Sequence, residues 1–158
     1  MAGWRVGAVI GAKPYIDTIM TFRSNMDSGM FKPIQEAAAV ALGMGKDWIE
    51  NLNSQYQQRK DAACDIMDYL QLEHDKNGAG LFVWGKIKNS KMDSEALANK
   101  ILYNSRVFIT PGHIFGSQGN QYLRISLCSP VEDMRTALDR IKTGSEKYSS
   151  SLNSATAL

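Results

Sequence analysis

Two arginines stand where a guanidinium could do chemistry. Arg5 lies in MAGWRVG (1–7), between Gly3 and Gly7. Glycines let backbone approach a ligand closely, and a guanidinium offers a planar fork of donors that matches phosphate oxygens. Arg124 lies in NQYLRIS (120–126), inside an alternating run. In a strand, Tyr122, Arg124 and Ser126 share one face, while Leu123, Ile125 and Leu127 take the other. A cation at that position faces either solvent or a polar pocket. Taken singly, each arginine also has a plainer reading: a surface residue beside glycines, and an exposed strand residue.

Other chemistries fall away. His74 and His113 are the only histidines and stand far apart, so no metal site is expected. The glycines near the start do not make a nucleotide-binding loop, because Lys13 precedes Pro14 where the motif needs serine or threonine. Cys64 and Cys128 have no C-x-x-C partner and read as two buried or half-buried thiols in a reduced, cytoplasmic setting. The 18 basic and 16 acidic residues leave a formal charge of +2, too balanced for a nucleic-acid partner. No apolar run approaches the roughly 18 residues that span a bilayer, and GAVIG (7–11) is far too short to matter as a small-residue membrane motif. The opening residues lack signal-peptide character. With 44% hydrophobic and 22% charged residues, 158 residues suffice for a globular core.

The elements that must position the arginines are legible in outline. WRVGAVIGA (4–12) reads as a short buried strand ending at Lys13-Pro14. Pro14 suits the first turn of a helix carrying Ile16, Ile19, Met20 and Phe22. SNMDSG (24–29) is turn chemistry, and the alanine-rich stretch from Phe31 to Leu42 predicts a helix closed by Gly43. From Asp47 to about Gln71, Trp48, Leu52, Tyr56, Arg59, Ala63, Ile66, Met67 and Leu70 recur at helical spacing, a stripe best read as core. LFVWGKI (81–87), VFIT (107–110) and YLRISL (122–127) read as strands, the second stopped by Pro111-Gly112. Asp93-Ser94 offers an N-cap for a helix through Leu97, Ile101 and Leu102. Val131, Met134, Leu138, Ile141 and Tyr148 mark one face of a last helix, after which SSSLNSATAL reads as a frayed tail.

Two motifs taken together point further. MAGWRVG resembles the G-x-R-x-G loop, and TPGHIFG (110–116) followed by YLRIS resembles the T-P-G-x-x-F-G turn and arginine strand, of the pyridoxal-phosphate (PLP) aminotransferases of the aspartate aminotransferase superfamily. SNMDSGMFKPIQEAA (24–38) and GAGLFVWGKI (78–87) fit the same pattern, so the resemblance covers about residues 1–142.

The resemblance implies the C-terminal part of a fold-type I PLP enzyme: an α/β chain whose small α+β domain has an antiparallel sheet packed by helices. Residues 1–44 would end the large cofactor-binding domain, 45–149 would form the small domain with the long linking helix, and 150–158 would be a flexible tail. Arg5 would bind the cofactor phosphate and Arg124 the substrate α-carboxylate. The Schiff-base lysine of the family lies a short way before the first arginine, which here falls ahead of Met1. The chain is thus expected to be a fragment with no catalytic residue of its own and no activity in isolation.

The implied parent transfers an amino group between an amino acid and a 2-oxo acid. It is a cytoplasmic homodimer of amino-acid metabolism, with no nucleic-acid or membrane partner. Ser24-Asn25 would approach the neighbouring subunit's site, and Met20 stands where dicarboxylate-specific relatives place an arginine. His113 reads as a structural turn residue, with the substrate entrance as its other possible place. The same motifs also suit a PLP-dependent β-lyase or decarboxylase, and a non-catalytic dimerisation or interaction domain remains open.

Overall fold

The computed structural model describes residues 3–88 and 92–155 and divides into two units, Met1–Asn51 and Leu52–Leu158. In the first unit, residues 3–5 form a turn and 6–12 run without regular structure. The strand expected over 4–12 is therefore absent. A strand is defined by its partner's hydrogen bonds, and no described segment pairs with this one.

Helix α1 spans Lys13–Met26 and α2 spans Lys32–Leu42, each with a proline in its first turn, where a missing N–H costs nothing. Between them the Gly29 N–H donates to Asp27 Oδ1 at 3.2 Å, and Gly29 takes a positive φ of 105° that favours glycine. Gly43 closes α2 as expected, its N–H donating to the Ala39 carbonyl at 3.1 Å. Yet no described side chain in this unit is buried.

Helix α3 spans Lys46–Tyr69, and Ala62, the first buried residue among those described, lies in its second half. The stripe read as continuous core is core only in part: Ala63, Ile66 and Met67 are buried, whereas Trp48 is 46% exposed. The spacing was right for a helix face, but only the later turns of that face belong to the buried cluster.

Four strands of the second unit form one antiparallel sheet in the order β1-β2-β4-β3: β1 Glu73–His74, β2 Phe82–Lys86, β3 Thr110–Pro111 and β4 Tyr122–Ser126. One face of it is core. Val83 and Leu123 are buried there with Leu127, beside Ala63 and Met67 of α3. Gly85 of β2 admits that helix, because a Cβ would lie 2.5 Å from Met67 Sδ. Burying a side chain such as Leu123 fully contributes about 1.5–3 kcal/mol.

The expected VFIT strand is instead the two-residue β3, which includes Pro111 rather than stopping before it. An edge position explains this, since proline is tolerated where one side of the strand has no ladder.

Helices α4 (Ser94–Ser105) and α5 (Val131–Ala155) complete the unit and contribute Ala98, Ile101, Met134 and Ile141 to the core. The cap is the one the sequence predicts: the Ala96 N–H donates to Asp93 Oδ1 at 2.8 Å. Gly144 of α5 lets the two helices close, for a Cβ there would come within 2.6 Å of the Asn104 carbonyl oxygen. The backbone of α5 continues to Ala155, so the frayed end expected after Lys147 is helical that far. Tyr148 and residues 156–158 of the expected tail lie outside the described side chains and residues, respectively.

Both cysteines are free; Cys64 is buried, but Cys128 is exposed rather than half-buried. Burial also pushes the Cys64 thiol pKa up, so it behaves as an apolar core residue. No helix among the described residues is long and apolar enough to cross a membrane.

Candidate functional site around Arg124

Arg124 sits at the centre of β4, opposite Trp84 of β2 on one side and Thr110 of β3 on the other. Strand alternation puts it on the face away from Leu123, together with Tyr122 and Ser126, as the sequence predicts. By the same register Phe82, Trp84 and Lys86 of β2 share that face. Aromatic side chains there gather around the guanidinium. Its central carbon lies 4.2 Å from the Phe82 ring centroid, 3.8 Å from that of Phe115 and 5.8 Å from that of Trp84.

Phe115 reaches the arginine from outside the strands. It ends a 3₁₀ turn, Gly112–Phe115, and Gly116 follows with φ 124°. Two features of the surroundings hold this turn. Gly112 and Gly119 cross so closely that a Cβ on Gly112 would lie 2.5 Å from the Gly119 carbonyl oxygen, so neither position has room for a side chain. The start of α4 grips the turn as well: Ser94 Oγ and His113 Nδ1 hydrogen-bond at 3.3 Å, and the Ser94 N–H donates to the Asn120 carbonyl at 2.8 Å. His113 is thus engaged with a fully buried serine. Trp84 then packs edge-on against Phe115, with centroids 5.5 Å apart and planes at 73°, and against Tyr122.

Arg124 Nε is buried, and no acceptor among the described residues is hydrogen-bonded to it. Among the described residues no carboxylate comes within ion-pair distance of this guanidinium. Arg124 is half-buried, and even a partly desolvated cation without a counter-charge is costly; the negative faces of aromatic rings offset part of that cost. The two Nη groups are the donors left for a ligand. Such an arrangement can take a planar anion in a bidentate, charge-assisted pair. Asp133 shares with Thr110, Ser126 and Arg124 the lining of a recess of about 210 Å³, yet it does not pair with the arginine.

Arg5 belongs to the other unit. It stands in the turn over residues 3–5 with φ 57°, exposed and with no protein partner among the described residues. Around Gly3 and Gly7 an added Cβ would meet nothing within 4 Å, so the backbone there is open. Met20 and Ser24 line a shallow recess on α1 with Arg23 and Asp27, which pair at 2.9 Å.

The aromatic partners of Arg124 are what motif reading missed. Phe115 is the F of T-P-G-x-x-F-G and was visible as a motif residue, but its contact depends on the fold of the turn. Phe82 and Trp84 lie in GAGLFVWGKI, a stretch that fits the family pattern, but nothing in it tells that they face the arginine. Among the described residues no group of three or more histidine, cysteine or acidic side chains could hold a metal ion.

Known proteins share both the sequence and this fold. Residues 1–141 match the family described as aminotransferase class I and II. The chain is 32% identical over 141 residues to LL-diaminopimelate aminotransferase of Maridesulfovibrio salexigens, covering 89% of the chain and 36% of that protein. It is 34% identical over 145 residues to transaminase BacF of Bacillus subtilis, covering 90% of the chain and 36% of that protein. The solved apo-BacF structure superposes with a TM-score of 0.75 at 33% identity, over 90% of this chain and 37% of that one. An aromatic aminotransferase from Pyrococcus horikoshii gives a TM-score of 0.79 at 25% identity, over 94% and 40%. The chain thus spans little more than a third of the length of these relatives. Since the glycine-flanked arginine, the T-P-G turn and the arginine strand all fall inside the matched residues, the chain belongs to the class I and II aminotransferase family.

Proposed function

We propose that this chain is part of a PLP-dependent aminotransferase in which Arg124 holds the substrate α-carboxylate and Arg5 the cofactor phosphate. The observation that carries the reading is the Arg124 guanidinium, set among aromatic rings with a buried Nε and no acidic partner among the described residues. An amino acid and a 2-oxo acid both bear a carboxylate beside the reacting carbon. One grip therefore serves both directions of amino transfer, and it aligns the bond to be broken by fixing the atom next to it. PLP, when bound, supplies an electron-accepting ring that disperses the charge left as the substrate α-proton departs. Arg5 suits the phosphate end of that group, because its guanidinium is exposed, has no partner among the described residues, and the flanking glycine backbone is open to close approach.

Residues 1–44 would complete the cofactor domain, 45–149 the smaller domain, and 150–158 a tail. The working unit we propose is a cytoplasmic homodimer acting in amino-acid metabolism, with the exposed Ser24-Asn25 turned to the neighbouring subunit. Relatives named LL-diaminopimelate aminotransferase support the reading that the substrates are an amino acid and a 2-oxo acid. An exposed Met20, where dicarboxylate enzymes use an arginine, speaks against a second carboxylate grip at that position.

The test is the Arg124→Gln substitution in the full-length enzyme, read as 2-oxo-acid-dependent amino transfer. Removing one side of a desolvated charge pair costs about 2–5 kcal/mol in kcat/KM. Unchanged kcat/KM would sink the reading. Release of ammonia and pyruvate without an amino acceptor would mark a lyase instead. The 158-residue chain alone is expected to transfer nothing, since it holds little more than a third of the relatives' length.

A further inference from the structure

We propose that Phe82 and Phe115 are positioning residues that keep the Arg124 guanidinium unpaired and aimed for a ligand carboxylate, an inference that rests on the carboxylate-gripping role of Arg124 proposed above. A mid-strand arginine on an outer sheet face ordinarily escapes into water or pairs with a neighbouring acid. Arg124 is only partly open to water, and among the described residues it pairs with no acid. Its guanidinium is held within 4.2 Å of two ring centroids, from β2 and from the 3₁₀ turn, and its Nε is shut off from water.

The rings attract a cation but accept no conventional hydrogen bond, so they stabilise the charge without consuming its Nη donors. Rotamer freedom is surrendered during folding rather than when the ligand arrives, which is the physical content of preorganisation. Both rings stay partly open themselves, Phe82 at 43% and Phe115 at 49% exposure, so they are not there to fill the core. The turn that delivers Phe115 is built with unusual care: a glycine crossing with no room for Cβ, and a buried serine on His113. That construction makes sense if the ring's place matters.

The experiment is nuclear magnetic resonance of the 158-residue chain, titrated with sodium propionate while the Arg124 Nε–H signal is followed. In the unsubstituted chain that signal should be displaced by ring currents, slow to exchange with water, and shifted saturably by propionate. Phe82→Leu and Phe115→Leu should each speed the exchange and weaken propionate about 3- to 10-fold, the range a partly desolvated cation–π contact supports. Phe115→Tyr keeps the ring and should restore both readouts. Because both phenylalanines are half-exposed, the leucine variants should retain the backbone amide spectrum, which separates a lost position from a lost fold.

Leucine variants with unchanged Nε–H exchange and unchanged affinity overturn the positioning role while leaving the carboxylate grip intact. Propionate binding that survives Arg124→Gln, read from the backbone amide signals of Trp84 and Phe115, or no saturable shift in the unsubstituted chain, overturns the grip on which the inference stands.

Discussion

The two units of this chain obey different rules. In Met1–Asn51 no described side chain is buried, and Ile10 and Leu42 are 95% and 88% exposed. In Leu52–Leu158 the described core is gathered from α3, α4, α5, the sheet and the segments that flank its strands. Helices exist in both, so helicity alone says little about stability. Those of the first unit rest on local devices: prolines in the first turns, and exposed pairs such as Lys13–Asp17 and Lys32–Glu36. Exposed i,i+4 pairs contribute only about 0.3–0.5 kcal/mol each, and helices this short are marginal without tertiary packing. The second unit has apolar burial, and it is there that an unpaired cation can be held in place.

The largest effect expected is a test of that contrast. Leu123→Ala or Met67→Ala should destabilise the second unit by about 2–5 kcal/mol, whereas Leu42→Ala or Ile10→Ala should change stability by less than about 0.5 kcal/mol. Urea melts of the 158-residue chain read both, and similar losses at both kinds of site would break the comparison.

Next comes Gly119→Ala. Forcing a Cβ into the Gly112 backbone should cost about 1–3 kcal/mol by overpacking, and it should also disturb the Arg124 Nε–H resonance by moving Phe115. A thermal shift without any change in that resonance would separate the turn from the cage.

A smaller loss, about 1 kcal/mol, is expected from Asp93→Ala, which removes the cap on α4. Circular dichroism melts should show the drop; none would mean the cap is redundant with the packing behind it.

The smallest effect concerns pH. The Lys76 ammonium donates to Asp68 at 2.8 Å, which holds the Asp68 carboxyl below its ordinary range and the Lys76 ammonium above its own. For Asp68 the stabilisation is present above the ordinary carboxylate range and is lost as pH falls through the depressed value. For Lys76 it is present below the ordinary lysine range and is lost as pH rises through the raised value. Both groups are open to water, so the contribution is slight. Asp68→Asn should flatten both limbs of a melting-temperature profile, and an unaltered profile would assign the pair no role in stability.

The sequence alone settled whatever depends on neighbours a few positions away. The Asp93 cap, the prolines opening α1 and α2 and the helical spacing of α3 are local geometry. So is the alternation of YLRISL, which put Arg124 on the face opposite Leu123. Motif order did the rest for the family, since the G-x-R-x-G loop, the T-P-G turn and the arginine strand stand in readable sequence.

Partners supplied by distant residues were beyond its reach. Residues 4–12 have the composition of a strand but no described neighbour to pair with. Pro111 looks like a stop signal, yet it pairs with Leu123 because the sheet leaves it an edge. The same reason governs the site. That an arginine occupies position 124 is written in the chain; that Phe82 and Phe115 converge on it, and that no described acid pairs with it, follows only from the closing of the sheet and the crossing of two glycines. Local backbone preferences are short-ranged and leave a pattern, whereas cation–π contact and strand pairing depend on where the folded chain brings distant residues together.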